Sequence, residues 1–208
     1  LSTDNYLSVL EPYITSGEVE LFDWPYDNNG PAEFNEVATN AFRDAHHRAK
    51  GYVKWLGMID SDEFIYAVNG KKIQDFLAPL LETKIAGVQV YWYMFGTSHV
   101  PFIPEDKLMI ETLVLTGGKH ELFKTIYRPE FTEIVVNQHY CLYKPDYSHE
   151  DVATRLGDIR INHYWTRDEY YLHHVKIPRR IKYGTPEEVT MQWNDLMNAY
   201  PDYTIQPY

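Results

Sequence analysis

The apolar and polar positions follow two different periods in the first half of the chain, so segments with a strand pattern alternate with segments with a helix pattern. The predicted elements are, in order, a helix over 4–15, a strand over 19–22, a helix over 32–50, a strand that ends at Asp60, a helix over 73–81 and a strand over 87–93. Strands that alternate with helices usually pair in parallel. This order predicts an α/β fold in which helices cover both faces of a mainly parallel sheet.

The second half of the chain has a less regular pattern that is richer in strands. Its predicted elements are strands over 109–115, 121–127 and 133–142, a turn over 116–118, a short strand over 159–161 and helices over 167–175 and 186–199. The 208 residues contain no repeat, low-complexity tract or linker, and 44% of them are hydrophobic. A chain of this length and composition is expected to fold as one domain, over 1–208.

The apolar run from Trp55 to Ile59 stops abruptly at three acids, Asp60, Asp62 and Glu63. In open α/β sheets the ligand crevice lies beyond the carboxyl ends of the strands. Three carboxylates in four positions repel one another unless a cation is near, and their oxygens suit Mg²⁺ or Mn²⁺, which take further ligands from water and phosphates. The sequence thus predicts a metal site, and the alternative is a solvated acidic turn that caps a strand.

Charge and cysteine content narrow the class of protein. With 19 basic and 30 acidic residues the net charge is -11, which argues against a nucleic-acid-binding protein. A phosphate-bearing ligand stays compatible, because a bound divalent ion reverses the sign of the local charge. The single Cys141 forms no internal disulfide, no segment is long enough for a membrane span, and no signal pattern opens the chain. A soluble domain, in the cytoplasm, is expected.

A second cluster of candidate residues follows the short strand over 159–161. The imidazole of His163 is suited to complete a carboxylate metal site or to bind a phosphate. Arg167 and Lys176 are suited to meet a diphosphate as charged hydrogen-bond donors. The alternative for His163 is a structural or exposed histidine, since the chain has 9 of them.

Five blocks of the sequence resemble a known family when they are taken together and in order. They are Asp60-Ser-Asp-Glu-Phe64, Trp92-Tyr-Met-Phe95-Gly-Thr-Ser98, Glu121-Leu-Phe-Lys124-Thr-Ile-Tyr-Arg-Pro129, His139 and Ile161-Asn-His-Tyr-Trp-Thr-Arg-Asp-Glu169. This arrangement is similar to the GT-A glycosyltransferases related to glycosyltransferase families 2 and 92. The resemblance implies a GT-A, Rossmann-like fold, with a nucleotide-sugar and metal half over 1–100 and an acceptor half over 101–208.

The resemblance also implies a metal and a donor site. Asp60, Asp62 and His163 would bind Mn²⁺ or Mg²⁺. The expected donor is a nucleoside diphosphate sugar, in particular a UDP-sugar, and its other expected contacts are Lys124, Arg167 and Lys176. The cation would neutralise the diphosphate as it leaves. A surface position on a strand is the alternative for Lys124.

On the acceptor side, Trp92, Phe95 and His99 are expected to shape the sugar or acceptor pocket, with core packing as the alternative for the first two. The acceptor would be a glycan or a protein-linked glycan, and the transferred sugar a hexose. Inverting transfer, which the resemblance favours, needs a carboxylate that takes the acceptor proton. Glu111 is the first candidate for this base and Glu63 the second.

Two features depart from the family pattern. His99 and Val100 directly follow Ser98, where the family carries Gly-His. The block over 1–13 resembles one that in the family follows an opening strand, helix and second strand, so those elements are expected to be missing. Two other functions therefore stay open. They are a non-catalytic nucleotide- or sugar-binding module and a different metal-dependent phosphoryl-transfer or hydrolytic enzyme, which would need further carboxylate ligands.

Overall fold

A computed structural model describes residues 4–24, 30–68, 70–151 and 159–206. Its helices are α1 (Tyr6–Thr15), α2 (Pro31–Ala49), α3 (Ile73–Leu77), α4 (Met109–Thr112), α5 (Glu169–Tyr171), α6 (Ile177–Lys182) and α7 (Glu187–Met197). Short 3₁₀ turns span Ala78–Glu82 and Pro129–Phe131, and a π-helical turn spans Leu172–Lys176. Its strands are β1 (Leu56–Gly57), β2 (Glu63–Ala67), β3 (Ile85–Phe95), β4 (Leu115–Tyr127), β5 (Thr132–Val135), β6 (Cys141–Tyr143), β7 (Ser148–Asp151), β8 (Ile159–His163) and β9 (Tyr200–Pro201).

Seven of these strands form one mixed sheet with the order β1-β4-β3-β8-β2, in which β7 pairs with β3 and β9 pairs with β4. Only the pairs of β3 with β7 and with β8 are parallel among the described strands. The pairs β1–β4, β2–β8, β3–β4 and β4–β9 are antiparallel. The fold is therefore mixed α/β, and the prediction of a mainly parallel sheet is wrong.

The acidic turn explains this difference. The apolar run before Asp60 contributes only the two-residue strand β1, and the chain turns at Asp60 so that β2 starts at Glu63. β2 then runs against β8, with Glu63 opposite His163. Hydrophobic periodicity reports which face of a strand is buried, but it carries no information about the direction of the neighbouring strand.

Three local predictions are also corrected. The segment 19–22 has no regular structure, and the predicted strand over 109–115 begins as helix α4. The predicted turn over 116–118 lies inside β4. Gly117 allows β4 and the backbone of α7 to approach closely, because a Cβ atom on this residue would lie 2.6 Å from the carbonyl oxygen of Leu196 in α7.

One face of the sheet carries the main core and, at one end, the polar residues Lys124 and His163. Buried apolar residues of β2, β3, β4 and β8 pack there against α3 and the 3₁₀ turn that follows it. Lys124 stands opposite Val90 and His163 opposite Met94, so both share the face of these partners. The core face thus ends in charged side chains instead of apolar ones. In the described part of the chain, no helix is long and apolar enough to cross a membrane.

Candidate active site

Lys124 joins two of the three acids at the turn before β2. Its Nζ lies 2.7 Å from Oδ2 of Asp60 and 3.5 Å from Oε2 of Glu63. The turn itself is closed by the amide of Asp60, which donates to Glu63 Oε2 at 2.9 Å, and by the amide of Glu63, which donates to the carbonyl of Asp60 at 3.1 Å. The side chains of Lys124 and Glu63 are 2% and 0% exposed, whereas that of Asp60 is 45% exposed. A buried lysine therefore offsets the charge that the sequence places at this turn.

Burial dominates the electrostatics of Glu63. Loss of solvent raises the pKa of this carboxyl from 4.5 to about 7, although the charge of Lys124 and the Asp60 amide oppose the rise. Its Oε1 atom is buried and has no hydrogen-bond partner among the residues that the structure describes. Glu63 is thus close to half protonated at neutral pH and has one oxygen that is open to a new partner.

The third acid, Asp62, faces His163. Asp62 Oδ1 lies 3.6 Å from His163 Nε2, and the amide of Tyr164 donates to the Asp62 carbonyl at 2.9 Å. Burial tends to raise the pKa of Asp62, but the hydrogen bond and charge of His163, together with the charge of Lys176, outweigh it and lower the pKa. Asp62 is therefore a carboxylate at neutral pH, and the register of β2 with β8 holds it beside an imidazole.

This pair fits a loosely held divalent cation. Ligand atoms of one ion each lie about 2.1 Å from it, so an oxygen and a nitrogen 3.6 Å apart are compatible with a shared ion. Asp60 is instead engaged by Lys124. The described residues contain no group of three or more His, Cys, Asp or Glu side chains that could hold a metal. Two protein ligands suit an ion that takes its remaining ligands from water and phosphates.

The structure also brings Lys176 near Asp62, and Arg167 near Lys176. Lys176 is 4% exposed, and burial followed by the charge of Arg179 lowers its pKa to about 7, against the opposing charge of Asp62. Arg167, whose charge acts on Lys176, has a buried Nε atom that forms no hydrogen bond with the described part of the chain. These positions would suit an incoming anion, which favours the charged form of a lysine.

Three other predicted site residues lie apart from the acidic cluster. Glu111 is exposed and its Oε2 accepts a hydrogen bond from the amide of Leu108 at 2.9 Å, at the start of α4. Phe95 is fully buried in a cluster with Leu113 and Tyr164. His99 is exposed and has a positive φ of 57°. No hydrogen bond or ion pair joins any of the three to the acids within the described residues.

Trp92, by contrast, is central to the site. Its ring centroid lies 4.4 Å from that of His163 and 5.4 Å from that of His139, whose Nδ1 is bonded to the carbonyl of Phe123. Sequence reasoning assigned no role to His139, although it is one of the five motif blocks. Trp193 was missed altogether, because a single tryptophan in a C-terminal helix carries no motif signal.

The family comparison agrees with this geometry. The model of the family described as glycosyltransferase family 92 matches residues 1–208. Comparison with curated proteins gives no match. The five motif blocks lie within the matched range. The acids of the first block meet the histidine of the last block across β2 and β8. The chain therefore belongs to glycosyltransferase family 92 and is a glycosyltransferase.

Proposed function

We propose that this glycosyltransferase moves a hexose from a nucleoside diphosphate sugar, a UDP-sugar, to a hydroxyl group of a glycan or protein-linked glycan, with inversion and with Mn²⁺ or Mg²⁺. The observation that carries the proposal is the pair of Asp62 and His163 at the end of the core face, 3.6 Å apart and beside the buried Lys176. Asp62 and His163 would hold the cation. The bound cation would supply Lewis-acid stabilisation of the diphosphate charge.

The basic residues would bind and orient the diphosphate. Lys176 has a pKa of about 7 in the free protein, so it gains a full charge when an anion binds beside it. Arg167 Nε is a buried donor with no acceptor in the described ranges, and it is suited to the second phosphate. Lys124 keeps Asp60 and Glu63 from repelling the donor, since it pairs with both.

We assign the proton-accepting role to Glu63 and not to Glu111. A general base works best when its pKa lies near the working pH, and the pKa of Glu63 is about 7. Glu111 already accepts the hydrogen bond that starts α4. Lys124 would stay paired with Oε2 of Glu63 and favour its carboxylate form, and Oε1, which has no hydrogen-bond partner among the described residues, would take the acceptor proton. Glu63→Gln is expected to lose transfer to an acceptor while it keeps slow hydrolysis of the donor.

The deciding experiment measures UDP release from UDP-hexoses with and without Mn²⁺. Asp62→Asn is expected to weaken Mn²⁺-dependent donor binding by about 100-fold or more, because it removes a charged ligand. The matched control is Asp106→Asn, which changes an exposed carboxylate with no hydrogen bond to the site. Donor affinity that is the same in Asp62→Asn and in the unaltered protein would refute the site. Binding without turnover in the unaltered protein would instead indicate a non-catalytic module.

A further inference from the structure

A cavity rich in tryptophan has His163, whose Nε2 faces Asp62, in its wall. It has a volume of about 430 Å³, and its walls include Trp92, His163, Trp165, Arg180 and Trp193. The rings of Trp165 and Trp193 are 5.8 Å apart and inclined by 65°. Lys176 Nζ lies 4.2 Å from the centre of the Trp165 ring, and Arg180 Cζ lies 5.2 Å from that of Trp193, so the corner combines aromatic faces with two cations. Small-molecule sites occupy about 300–1,000 Å³, so this cavity has the size of a ligand site.

The outer wall of the cavity is held firmly. Trp193 and Met197 are on α7, and Asn194 of the same helix accepts a hydrogen bond from the amide of Thr97 at 3.0 Å. Asn194 is 2% exposed, and the backbone of α7 lies against Gly117 of β4. The wall therefore keeps its distance from the sheet before any ligand arrives, which lowers the entropic cost of binding.

Two hydrogen-bonding atoms at this cavity have no partner. Trp92 and His163 are 8% and 5% exposed, and neither Trp92 Nε1 nor His163 Nδ1 forms a hydrogen bond within the described residues. Arg180 Nε, on a third wall residue, is also buried and has no hydrogen-bond partner in the part of the chain that the structure describes. Buried polar atoms normally have partners. A ligand with several hydroxyl groups would satisfy them.

We infer that this cavity binds the pyranose ring of the acceptor glycan. A hexopyranose has an apolar face of C–H groups that can lie on a tryptophan ring, and hydroxyl groups at its edge that can meet Trp92 Nε1 and His163 Nδ1. No acidic residue is among the described residues that line the cavity. This lining differs from the acid-rich side of His163, where a cation would be held.

The cavity adjoins the proposed donor site, because Lys176 acts on Asp62 and also contacts Trp165 of the cavity wall. His163 connects the two as well. Its Nε2 faces Asp62, and its ring also forms part of the cavity wall. A sugar in the cavity would therefore lie next to a donor whose diphosphate is bound at Asp62 and Lys176. This inference rests on the proposed function, because it takes the Asp62 side as the donor site. The donor sugar is the other possible source of a pyranose ring, and the experiment separates the two.

The first test measures saccharide binding without nucleotide or metal. Methyl β-galactoside, methyl β-glucoside and methyl α-mannoside are added at millimolar concentration and followed by saturation-transfer NMR. At least one saccharide is expected to bind. Trp193→Ala is expected to lower the affinity for that saccharide about tenfold, which corresponds to the loss of one stacking contact. Trp24→Ala is the matched control, because Trp24 and Trp193 are 40% and 38% exposed and Trp24 does not line the cavity. Equal affinity in the two variants, or no binding of any saccharide, would overturn the inference.

The second test separates acceptor from donor. In a transfer assay Trp193→Ala is expected to raise the acceptor KM about tenfold and the donor KM less than about twofold. A rise in the donor KM instead would place the donor sugar in the cavity and overturn the inference. Trp193→Phe keeps an aromatic ring, and its acceptor KM is expected to lie between those of the alanine variant and the unaltered protein. If UDP release fails in the unaltered protein as well, the proposed function is wrong, while the NMR result still decides whether the cavity binds a sugar.

Discussion

Lys124 contacts two acids at once, so its replacement by methionine tests the electrostatic reasoning about the site. Methionine is unbranched like lysine, is one atom shorter, and removes the charge next to Glu63 and Asp60. Glu63 is wholly buried and its pKa is already raised to about 7, with Lys124 limiting the rise. Lys124→Met is expected to destabilise the protein, and to do so more strongly at high pH than at low pH.

The size of this effect follows from proton linkage. Between 4.5 and about 7 the folded protein holds a proton on Glu63 that the unfolded chain has lost, so stability falls as pH rises through this range. Without Lys124 the pKa of Glu63 rises further, and the fall continues to higher pH. At about pH 5.5 Glu63 is protonated in both proteins and titration adds no difference. At about pH 8 Glu63 has released its proton in the unaltered protein, but the variant still holds it and has continued to lose stability. A rise of about one unit in the pKa of Glu63 corresponds to a further loss of about 1.4 kcal/mol.

The remaining loss is the same at both pH values. Because the side chain of Asp60 is 45% exposed, its pairing with Lys124 contributes no more than about 1 kcal/mol. The assay is urea unfolding at about pH 5.5 and pH 8 with a chelator present, so that no divalent ion replaces the lysine. In the background of Glu63→Gln, the extra loss at high pH is expected to disappear. An equal loss for Lys124→Met at both pH values would refute the reasoning.

Two further predictions concern the basic side of the site and the packing of α7. Binding of UDP with Mn²⁺ at about pH 8 should take up a proton, because Lys176 has a pKa of about 7 and a bound diphosphate favours its charged form. Calorimetry in two buffers of different ionisation heat measures the proton uptake, and Lys176→Arg should abolish it. Absence of proton uptake in the unaltered protein would contradict the prediction. Gly117→Ala should cost about 1–3 kcal/mol, because the added Cβ would lie 2.6 Å from the Leu196 carbonyl oxygen. Gly57→Ala, whose Cβ would meet its nearest neighbour at 3.8 Å, is the control in urea unfolding, and equal losses would count against this packing.

Helix positions were predicted better than strand directions. The helices expected over 4–15, 32–50 and 186–199 correspond to α1, α2 and α7. A helix makes its hydrogen bonds within itself, so its period and its ends are visible locally. Strand pairing depends on a partner elsewhere in the chain, and the parallel sheet expected from the alternating order was not found.

The sequence by itself determined the family and singled out Asp60, Asp62, Glu63 and His163, because these residues lie in short motifs whose spacing and order can be read along the chain. Only the tertiary structure decided how they are arranged. The antiparallel register of β2 and β8 sets Glu63 opposite His163, the preceding Asp62 lies 3.6 Å from the same imidazole, and β4 brings Lys124 from 64 residues away to Asp60. The tryptophan cavity likewise combines β3, β8 and α7. Such contacts depend on strand register and helix packing, which local hydrophobic patterns do not encode.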